Sequence, residues 1–113
     1  MDLATTLRWA AERYPHRRAV GGSGRQLTFA EWDARTSRLA RALAGAGVRP
    51  GDRVALGLTG GEPLASLHLA AQKLGAVSVP LSTRFSPDEL RYCVEDAGAA
   101  LVVADEANAG RFA

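Results

Sequence analysis

The sequence predicts an α/β fold: a three-layer, open, mainly parallel sheet (βαβαβ) with helices on both faces and a small N-terminal β-hairpin. Three short apolar segments, residues 53–58, 76–81 and 99–104, lack the alternation of a half-exposed strand. Such segments are typical of strands that are covered on both faces. One helical segment separates each from the next, and single-helix connections predict parallel strands joined by right-handed crossovers.

The first element is a helix over residues 3–14. Leu3, Leu7, Ala10 and Ala11 recur at helical spacing, and Pro15 ends the pattern. Short extended pieces follow at residues 19–22 and 26–27, on either side of the turn sequence GGSG. A glycine-rich turn between two extended pieces indicates a β-hairpin.

The second helix begins at a capping signal. Thr28 can accept a hydrogen bond from a free backbone amide, Glu31 can complete a capping box, and Leu27 can pack on Trp32. The inward positions, which recur in steps of three and four, are Phe29, Trp32, Thr36, Leu39 and Leu43. The other face carries Glu31, Arg35, Arg38 and Arg41, and we interpret it as a solvated face rather than an anion site. Gly45 and Gly47 end the helix.

Two further helices complete the pattern. Residues 62–74 are apolar nearly all round, which predicts a helix that is buried on more than one side. The last predicted helix has Ser86 as its cap, Pro87 in its first turn and Glu89 to close a capping box, with Phe85 able to pack on Leu90. Its inward positions are Leu90, Cys93, Val94 and Ala97, and Gly98 ends it.

Composition restricts the class of protein. The chain has 113 residues, of which 47% are hydrophobic and 23% charged, and this predicts one globular domain or part of one. The net charge is only +2, and the basic residues form no cluster with aromatic residues, so a nucleic-acid partner is not expected. Cys93 is the only cysteine and is expected to be a core thiol. We expect a soluble, cytoplasmic protein without a signal peptide or membrane span.

Few residues suggest chemistry. The glycine loop Gly57-Leu58-Thr59-Gly60-Gly61 lies where an α/β fold could bind a phosphate, but it matches neither G-x-G-x-x-G nor a loop ending in Gly-Lys-Ser/Thr. A tight turn explains it better. His16 and His68 have no partner at metal-ligand spacing, so no metal site is predicted. We identify no catalytic residue and no Ser–His–Asp arrangement.

Four phrases, in order, carry a resemblance to a known family. They are LTFAEWDARTSRLARAL, GVRPGDRVAL, AAQKLGAVSVPLSTR and SPDELRYCVEDAGAALVV, and the resemblance that they carry extends over about residues 27–105. Each resembles a phrase from the N-terminal part of the adenylate-forming (AMP-binding) ligases, and the wording is similar to the acyl-CoA synthetases in particular. The resemblance departs from the family pattern at Gly60-Gly61-Glu62-Pro63 and at Ser82-Thr83-Arg84, where relatives often have Asn-Ser and Asn-Pro-Arg.

The resemblance implies that residues 1–113 are a single partial domain, the N-terminal portion of a ligase large domain, and the last few residues are expected to be disordered. A complete enzyme of this family would use ATP, Mg²⁺ and coenzyme A. Its phosphate loop ending in Pro-Lys-Gly, its Tyr/Thr-Glu segment, its ribose-binding Asp and its lid lysine have no counterpart here, and Lys73 lies in a scaffold phrase. In some relatives the arginine matching Arg84 lies near coenzyme A phosphates, so Arg84 is the one candidate cofactor contact.

The sequence leaves three functions open. One is a scaffold portion of an ATP-dependent acyl-CoA synthetase, inactive alone, or the matching fragment of a peptide-synthetase adenylation domain. Another is a non-catalytic interaction module. The remotest is a nucleotide-binding domain that uses the loop at residues 57–61. In the first two, exposed apolar surface would bind the rest of the ligase large domain or another subunit.

Overall fold

The computed structural model describes residues 3–20 and 26–112 of the chain. The helices are α1 (Leu3–Arg13), α2 (Phe29–Gly45), α3 (Glu62–Leu74), α4 (Pro87–Ala97) and α5 (Glu106–Ala109), followed by a 3₁₀ turn (Gly110–Phe112). The strands are β1 (Arg18–Val20), β2 (Leu27–Thr28), β3 (Arg53–Gly57), β4 (Val77–Pro80) and β5 (Leu101–Ala104).

A three-stranded parallel sheet occupies the centre of the fold, in the order β4-β3-β5. In the register, Ala55 of the middle strand lies opposite Val79 on one side and Val102 on the other. The side chains of β3 alternate between two separate core clusters, with Val54 and Leu56 in one and Ala55 in the second. Both faces of the sheet are therefore covered, and the predicted α/β fold with a parallel sheet is confirmed.

Helices α2 and α3 cover the first face of the sheet. Their contribution to the core includes Leu43, Leu67 and Ala70, which pack with Val54 and Leu56. The predicted burial of α3 on several sides is confirmed, because its buried residues are Ser66, Leu67, Leu69, Ala70 and Ala71. Helix α1 packs on α2 and α3 from outside, through the buried side chains of Leu7 and Ala10.

Helix α4 covers the second face. Leu90 is 2% exposed and forms a smaller core with Ala55 and Leu81. Cys93 is half-buried against the same cluster, as an inward-facing thiol should be. Phe112, from the 3₁₀ turn, packs on this cluster too, so the end of the described chain folds back onto the sheet.

The two N-terminal strands form a separate small sheet. Strand β1 pairs antiparallel with β2, with an irregular register between Arg18 and Val20. The predicted GGSG turn falls within residues 21–25, which lie outside the described residues. The antiparallel pairing is thus observed, and the hairpin as a whole remains a prediction.

The predicted capping boxes are present. Thr28 Oγ1 accepts from the Glu31 amide at 3.2 Å, and the Glu31 carboxylate accepts from the Thr28 amide at 2.9 Å. Ser86 and Glu89 form the same reciprocal pair at 3.2 and 3.0 Å. These bonds satisfy amides that the first turn of a helix leaves free. Gly98 ends α4 in the left-handed conformation, with φ of +63°.

The last described residues contain structure that the sequence analysis did not predict. Asp105 caps α5 by accepting a hydrogen bond from the Asn108 amide, and the 3₁₀ turn follows directly. Within residues 3–20 and 26–112, no helix is both long and apolar enough to cross a lipid bilayer.

Candidate functional site at the carboxyl edge of the sheet

The loops that follow β3, β4 and β5 leave the parallel sheet at the same side, which we call the carboxyl edge. The loops comprise residues 58–61, 81–86 and the segment that begins at Asp105. In open parallel sheets, ligands bind in the crevice at this edge, because strand ends and helix starts converge there. The carboxyl edge is therefore where a site in this chain is expected.

The carboxylate of Asp105 organises this edge. Its Oδ2 accepts a hydrogen bond from the Thr59 amide at 2.9 Å, and its Oδ1 accepts from the Asn108 amide at 3.0 Å and from Asn108 Nδ2 at 2.6 Å. The Thr59 amide, followed by the Asn108 side chain, holds the pKa of Asp105 below its ordinary value of 3.8. A negative charge thus lies on the glycine loop, which disfavours a phosphate there and supports our interpretation of the loop as a structural turn.

The polar bonds continue through a buried asparagine. Asn108 is 6% exposed, and its Nδ2 also donates to Thr59 Oγ1 at 3.1 Å. Its Oδ1 accepts from Arg111 Nη1 at 3.2 Å, and the same Nη1 donates to the backbone oxygen of Thr83. Residues after β3, β4 and β5 are therefore joined in one hydrogen-bonded network, which the sequence analysis missed. The Asp-x-x-Asn spacing at residues 105–108 is the signal that could have indicated the cap.

Arg84 lies on the same edge, in the exposed loop between β4 and α4. Its backbone amide donates to Ser82 Oγ at 3.2 Å. Its guanidinium makes no hydrogen bond or ion pair with the residues that the structure describes. It is therefore free to meet an anionic group of a ligand, which is the role that the family resemblance implies for it.

Lys73 lies away from this edge, between α2 and α3. Its Nζ donates to Asp33 Oδ1 at 2.6 Å, to the Asp33 backbone oxygen at 2.9 Å and to Ser37 Oγ at 2.8 Å. An ammonium has three protons to donate, and all three have acceptors here. The lysine side chain is 12% exposed. Lys73 is accordingly a structural residue that ties two helices together.

One charged residue differs from expectation. Arg35 was assigned to a solvated face, but its side chain is only 23% exposed and forms an ion pair with Glu62, which is 7% exposed. Nη2 of Arg35 adds a second bond to Glu62 at 3.3 Å. The interpretation of Arg35 was wrong because its partner is on a different helix. Arg38 and Arg41 are exposed, as expected.

The histidines have different environments. His16 is exposed, whereas His68 is partly buried and contacts Ser78 Oγ through Nδ1 and Gln72 Nε2 through Nε2. Across residues 3–20 and 26–112, no three His, Cys, Asp or Glu side chains gather in a way that could hold a metal ion. The phosphates of ATP do not fit the residues present, because the carboxyl edge places the Asp105 carboxylate on the glycine loop. The exposed guanidinium of Arg84 would fit a single anionic group of a ligand.

The fold defines an α/β unit with a parallel sheet whose strand ends are joined by one hydrogen-bonded network. The family model described as "AMP-binding enzyme" matches residues 7–112. The chain is 45% identical over 94 residues to a feruloyl-CoA synthase from Amycolatopsis, which covers 82% of this chain and 19% of that protein. It is 36% identical over 104 residues to the phosphinothricin tripeptide synthetase PhsC of Streptomyces viridochromogenes, covering 92% of this chain and 10% of that one.

The comparison with solved structures finds proteins of the same kind. The N-terminal domain of FACL13 from Mycobacterium tuberculosis superposes with a TM-score of 0.93 at 30% identity, over 98% of this chain and 29% of that one. A fatty acyl CoA synthetase of the same organism gives a TM-score of 0.90 at 33% identity, over 96% of this chain and 22% of that one. The chain belongs to the AMP-binding enzyme family and matches its N-terminal portion. It spans about a fifth of the length of the feruloyl-CoA synthase.

Proposed function

We propose that the chain is the N-terminal scaffold portion of an ATP-dependent acyl-CoA synthetase, which adenylates a carboxylate and then transfers the acyl group to the thiol of coenzyme A. The supporting observation is the 45% identity to a feruloyl-CoA synthase, together with the superposition on the N-terminal domain of FACL13. The complete enzyme would bind ATP, Mg²⁺ and coenzyme A. This portion is inactive alone.

The hydrogen-bond partners of the polar groups support the proposal that this portion is inactive alone. Catalysis of phosphoryl or adenylyl transfer depends on cations and donors aimed at the phosphates. The one lysine of the sequence, Lys73, is saturated by Asp33 and Ser37. The amide of Thr59 in the glycine loop is bonded to a carboxylate. At the described carboxyl edge, Arg111 is bonded to Thr83 and Asn108 and Arg84 is the exposed arginine, and one exposed arginine cannot hold a triphosphate in line for attack.

Pyrophosphate exchange tests the proposal. The purified chain is incubated with ATP, Mg²⁺, labelled pyrophosphate and a panel of aryl, alkyl and amino acids. We expect no label in ATP above background, while a complete acyl-CoA synthetase in the same assay exchanges readily. Turnover by the purified chain, with any acid of the panel, would show that it carries its own adenylation site.

A second candidate is the corresponding part of a peptide-synthetase adenylation domain. The match to PhsC favours it, because that match covers a larger share of this chain than the match to the feruloyl-CoA synthase does. Exchanging the matched segment separates the two. We expect a feruloyl-CoA synthase carrying this chain in place of its own segment to retain CoA-ligase activity, and the equivalent PhsC chimera to lose adenylation. The reverse result supports the peptide-synthetase assignment.

The interaction-module alternative rests on apolar surface at the sheet. Val77 of β4 is 51% exposed, and β4 and β5 each have one neighbouring strand within the described sheet. Open strand edges with apolar side chains favour association. In our proposal this surface binds the rest of the ligase large domain. Light scattering of the isolated chain would show a defined oligomer if it instead binds copies of itself.

Arg84 is the cofactor contact that we propose for the complete enzyme. An exposed guanidinium at the carboxyl edge can pair with a coenzyme A phosphate. In a ligase that contains this segment, Arg84→Ala should raise the KM for coenzyme A about three- to tenfold and leave the KM for ATP unchanged. Arg91→Ala, which removes a 63% exposed arginine from α4, is the matched control. An unchanged KM for coenzyme A in Arg84→Ala would remove the assignment.

A cytoplasmic location, favoured by the single cysteine, also stays a prediction.

A further inference from the structure

A groove of about 340 Å³ opens on the surface where α1, α2 and α3 meet. Its walls are mainly apolar and include three aromatic rings, those of Trp9, Phe29 and Trp32, with Ala65 and Leu69 between them. None of its lining residues belongs to the carboxyl edge. Its volume falls within the range of roughly 300–1,000 Å³ that is common for small-molecule pockets.

The polar atoms in the groove walls are already bonded to other protein groups. Trp32 Nε1 donates to Ser66 Oγ at 2.8 Å. Nδ1 of His68 contacts Ser78 Oγ, and its Nε2 lies 3.3 Å from Gln72 Nε2. Because these donors and acceptors are committed, the indole and imidazole offer a ligand their ring surfaces rather than new hydrogen bonds. The part of a ligand inside the groove should therefore be apolar.

The rim of the groove carries positive charge. The guanidinium carbon of Arg13 lies 5.2 Å from the ring centroid of Trp9, which is 47% exposed and also lines the groove. Arg17 stacks in the same way on Tyr14, with its guanidinium carbon 4.8 Å from the ring centroid. The rings of Trp9 and Tyr14 meet edge to face, with their centroids 6.1 Å apart. Glu12 is the exposed acidic neighbour on α1. The Arg13 guanidinium, held on the Trp9 ring that lines the groove, therefore favours an anion at this end of it.

We propose that this groove binds a small apolar anion, such as an aromatic or alkyl carboxylate or sulfonate. The apolar body lies against Trp9, Phe29 and Trp32, and the charged end remains at the rim beside Arg13. Both ends of the ligand are then matched: apolar surface meets apolar walls, and the anion meets a guanidinium held in place by an indole. The inference does not depend on the proposed ligase function.

Two fluorescent probes with the same ring body test it. Anilinonaphthalene sulfonate is anionic, and phenylnaphthylamine is its uncharged counterpart. Titrated into the chain, both should bind with saturable energy transfer from tryptophan, because two groove walls are indoles. We expect the sulfonate to bind about fivefold more tightly at low salt, the effect of one exposed charge pair, and the difference to vanish at high salt. Equal affinities at low salt overturn the proposal.

Variants locate the binding. Ala65→Leu fills the groove and should abolish energy transfer from both probes. Arg13→Gln should remove the preference for the sulfonate while keeping the neutral probe, and Arg13→Lys should restore the preference. Arg38→Gln and Tyr92→Ala change an exposed arginine and the most exposed aromatic residue elsewhere and should alter nothing. Circular dichroism checks that each variant is folded. Probe binding that survives Ala65→Leu would show general adhesion to apolar surface, and this too overturns the proposal.

Discussion

The ammonium of Lys73 lies 2.6 Å from the Asp33 carboxylate, and this pair joins α3 to α2 across their interface. The side chains are 12% and 27% exposed, so water screens the pair only partly. A second pair, Arg35 with Glu62, joins the same two helices. The contact between α2 and α3 is thus held by ion pairs as well as by the apolar core beneath them.

Replacing Lys73 should destabilise the chain. Lys73→Ala leaves Asp33 and Ser37 without their shared donor, and hydrogen bonds to charged groups contribute about 1.5–3 kcal/mol each in favourable settings. We expect the free energy of unfolding to fall by about 1–3 kcal/mol, measured by urea denaturation. Arg38→Ala, on the exposed face of α2, is the control and should change it by less than about 0.5 kcal/mol. Equal effects of the two changes would contradict a structural role for the pair.

Gly57 is required by the ring of Phe112. A Cβ built at Gly57 would lie 2.6 Å from both Cε2 and Cζ of that ring, which is too close for a real contact. Gly57→Ala should therefore displace the ring and cost about 1–3 kcal/mol in urea denaturation. Gly60→Ala is the control, since its added Cβ meets nothing within 4 Å. In the double variant Gly57→Ala/Phe112→Ala the costs should be less than additive, and full additivity would exclude the contact.

The cap of α4 can be tested at one hydroxyl. Ser86→Ala removes the oxygen that accepts from the Glu89 amide and should reduce the free energy of unfolding by about 1 kcal/mol. Ser86→Thr keeps a hydroxyl in the same place and should lose much less. Thermal unfolding of both variants is measured. A larger loss of stability in Ser86→Ala than in Ser86→Thr indicates a lost cap rather than a general effect of changing the residue. Loss of equal size in both would argue against the capping box.

The carboxylate of Asp105 should make the free energy of unfolding depend on pH. Its pKa is lowered in the folded chain, chiefly by the Thr59 amide and then by Asn108, so the folded state holds the charged form more strongly than the unfolded state does. This stabilisation is complete well above the ordinary pKa of 3.8 and is lost as the pH falls through and below that value. Glu89, whose pKa is lowered mainly by the Ser86 amide, acts in the same direction.

The test is how steeply the stability of the chain falls as the pH is lowered. Urea midpoints measured from pH 7 down to about pH 3 should fall less steeply for Asp105→Asn than for the unmodified chain, because asparagine keeps an acceptor but has no proton to gain. Asp96→Asn, an exposed position on α4, is the comparison and should leave the slope unchanged. Parallel curves for the unmodified chain and Asp105→Asn would show that this carboxylate does not contribute.

Local sequence signals predicted much of the fold. The bounds of α3, residues 62–74, and both capping boxes followed from spacing and residue type alone, because these interactions span at most a few residues. The parallel direction of the strands followed from the single-helix connections. The resemblance in the four phrases correctly identified the family.

Contacts between distant residues could not be deduced in the same way. Arg35 and Glu62 are 27 positions apart, and Thr59 and Asp105 are 46 apart, so pairing depends on how whole elements pack. A helix wheel places Arg35 on the exposed face. The residue can be assigned to an interface only when the position of the neighbouring helix is known. Arg84 lies in an exposed loop, where a contact with a ligand depends on the ligand rather than on packing within the chain.

The middle position of β3 has a consequence for how the protein is made. Among the strands of the parallel sheet, β3 leaves the ribosome first, yet it is the one that both of the others pair with. Each later strand can therefore add to a partner that has already been synthesised, one on either side, with no need to insert between two strands. Assembly during translation can proceed outward from the centre.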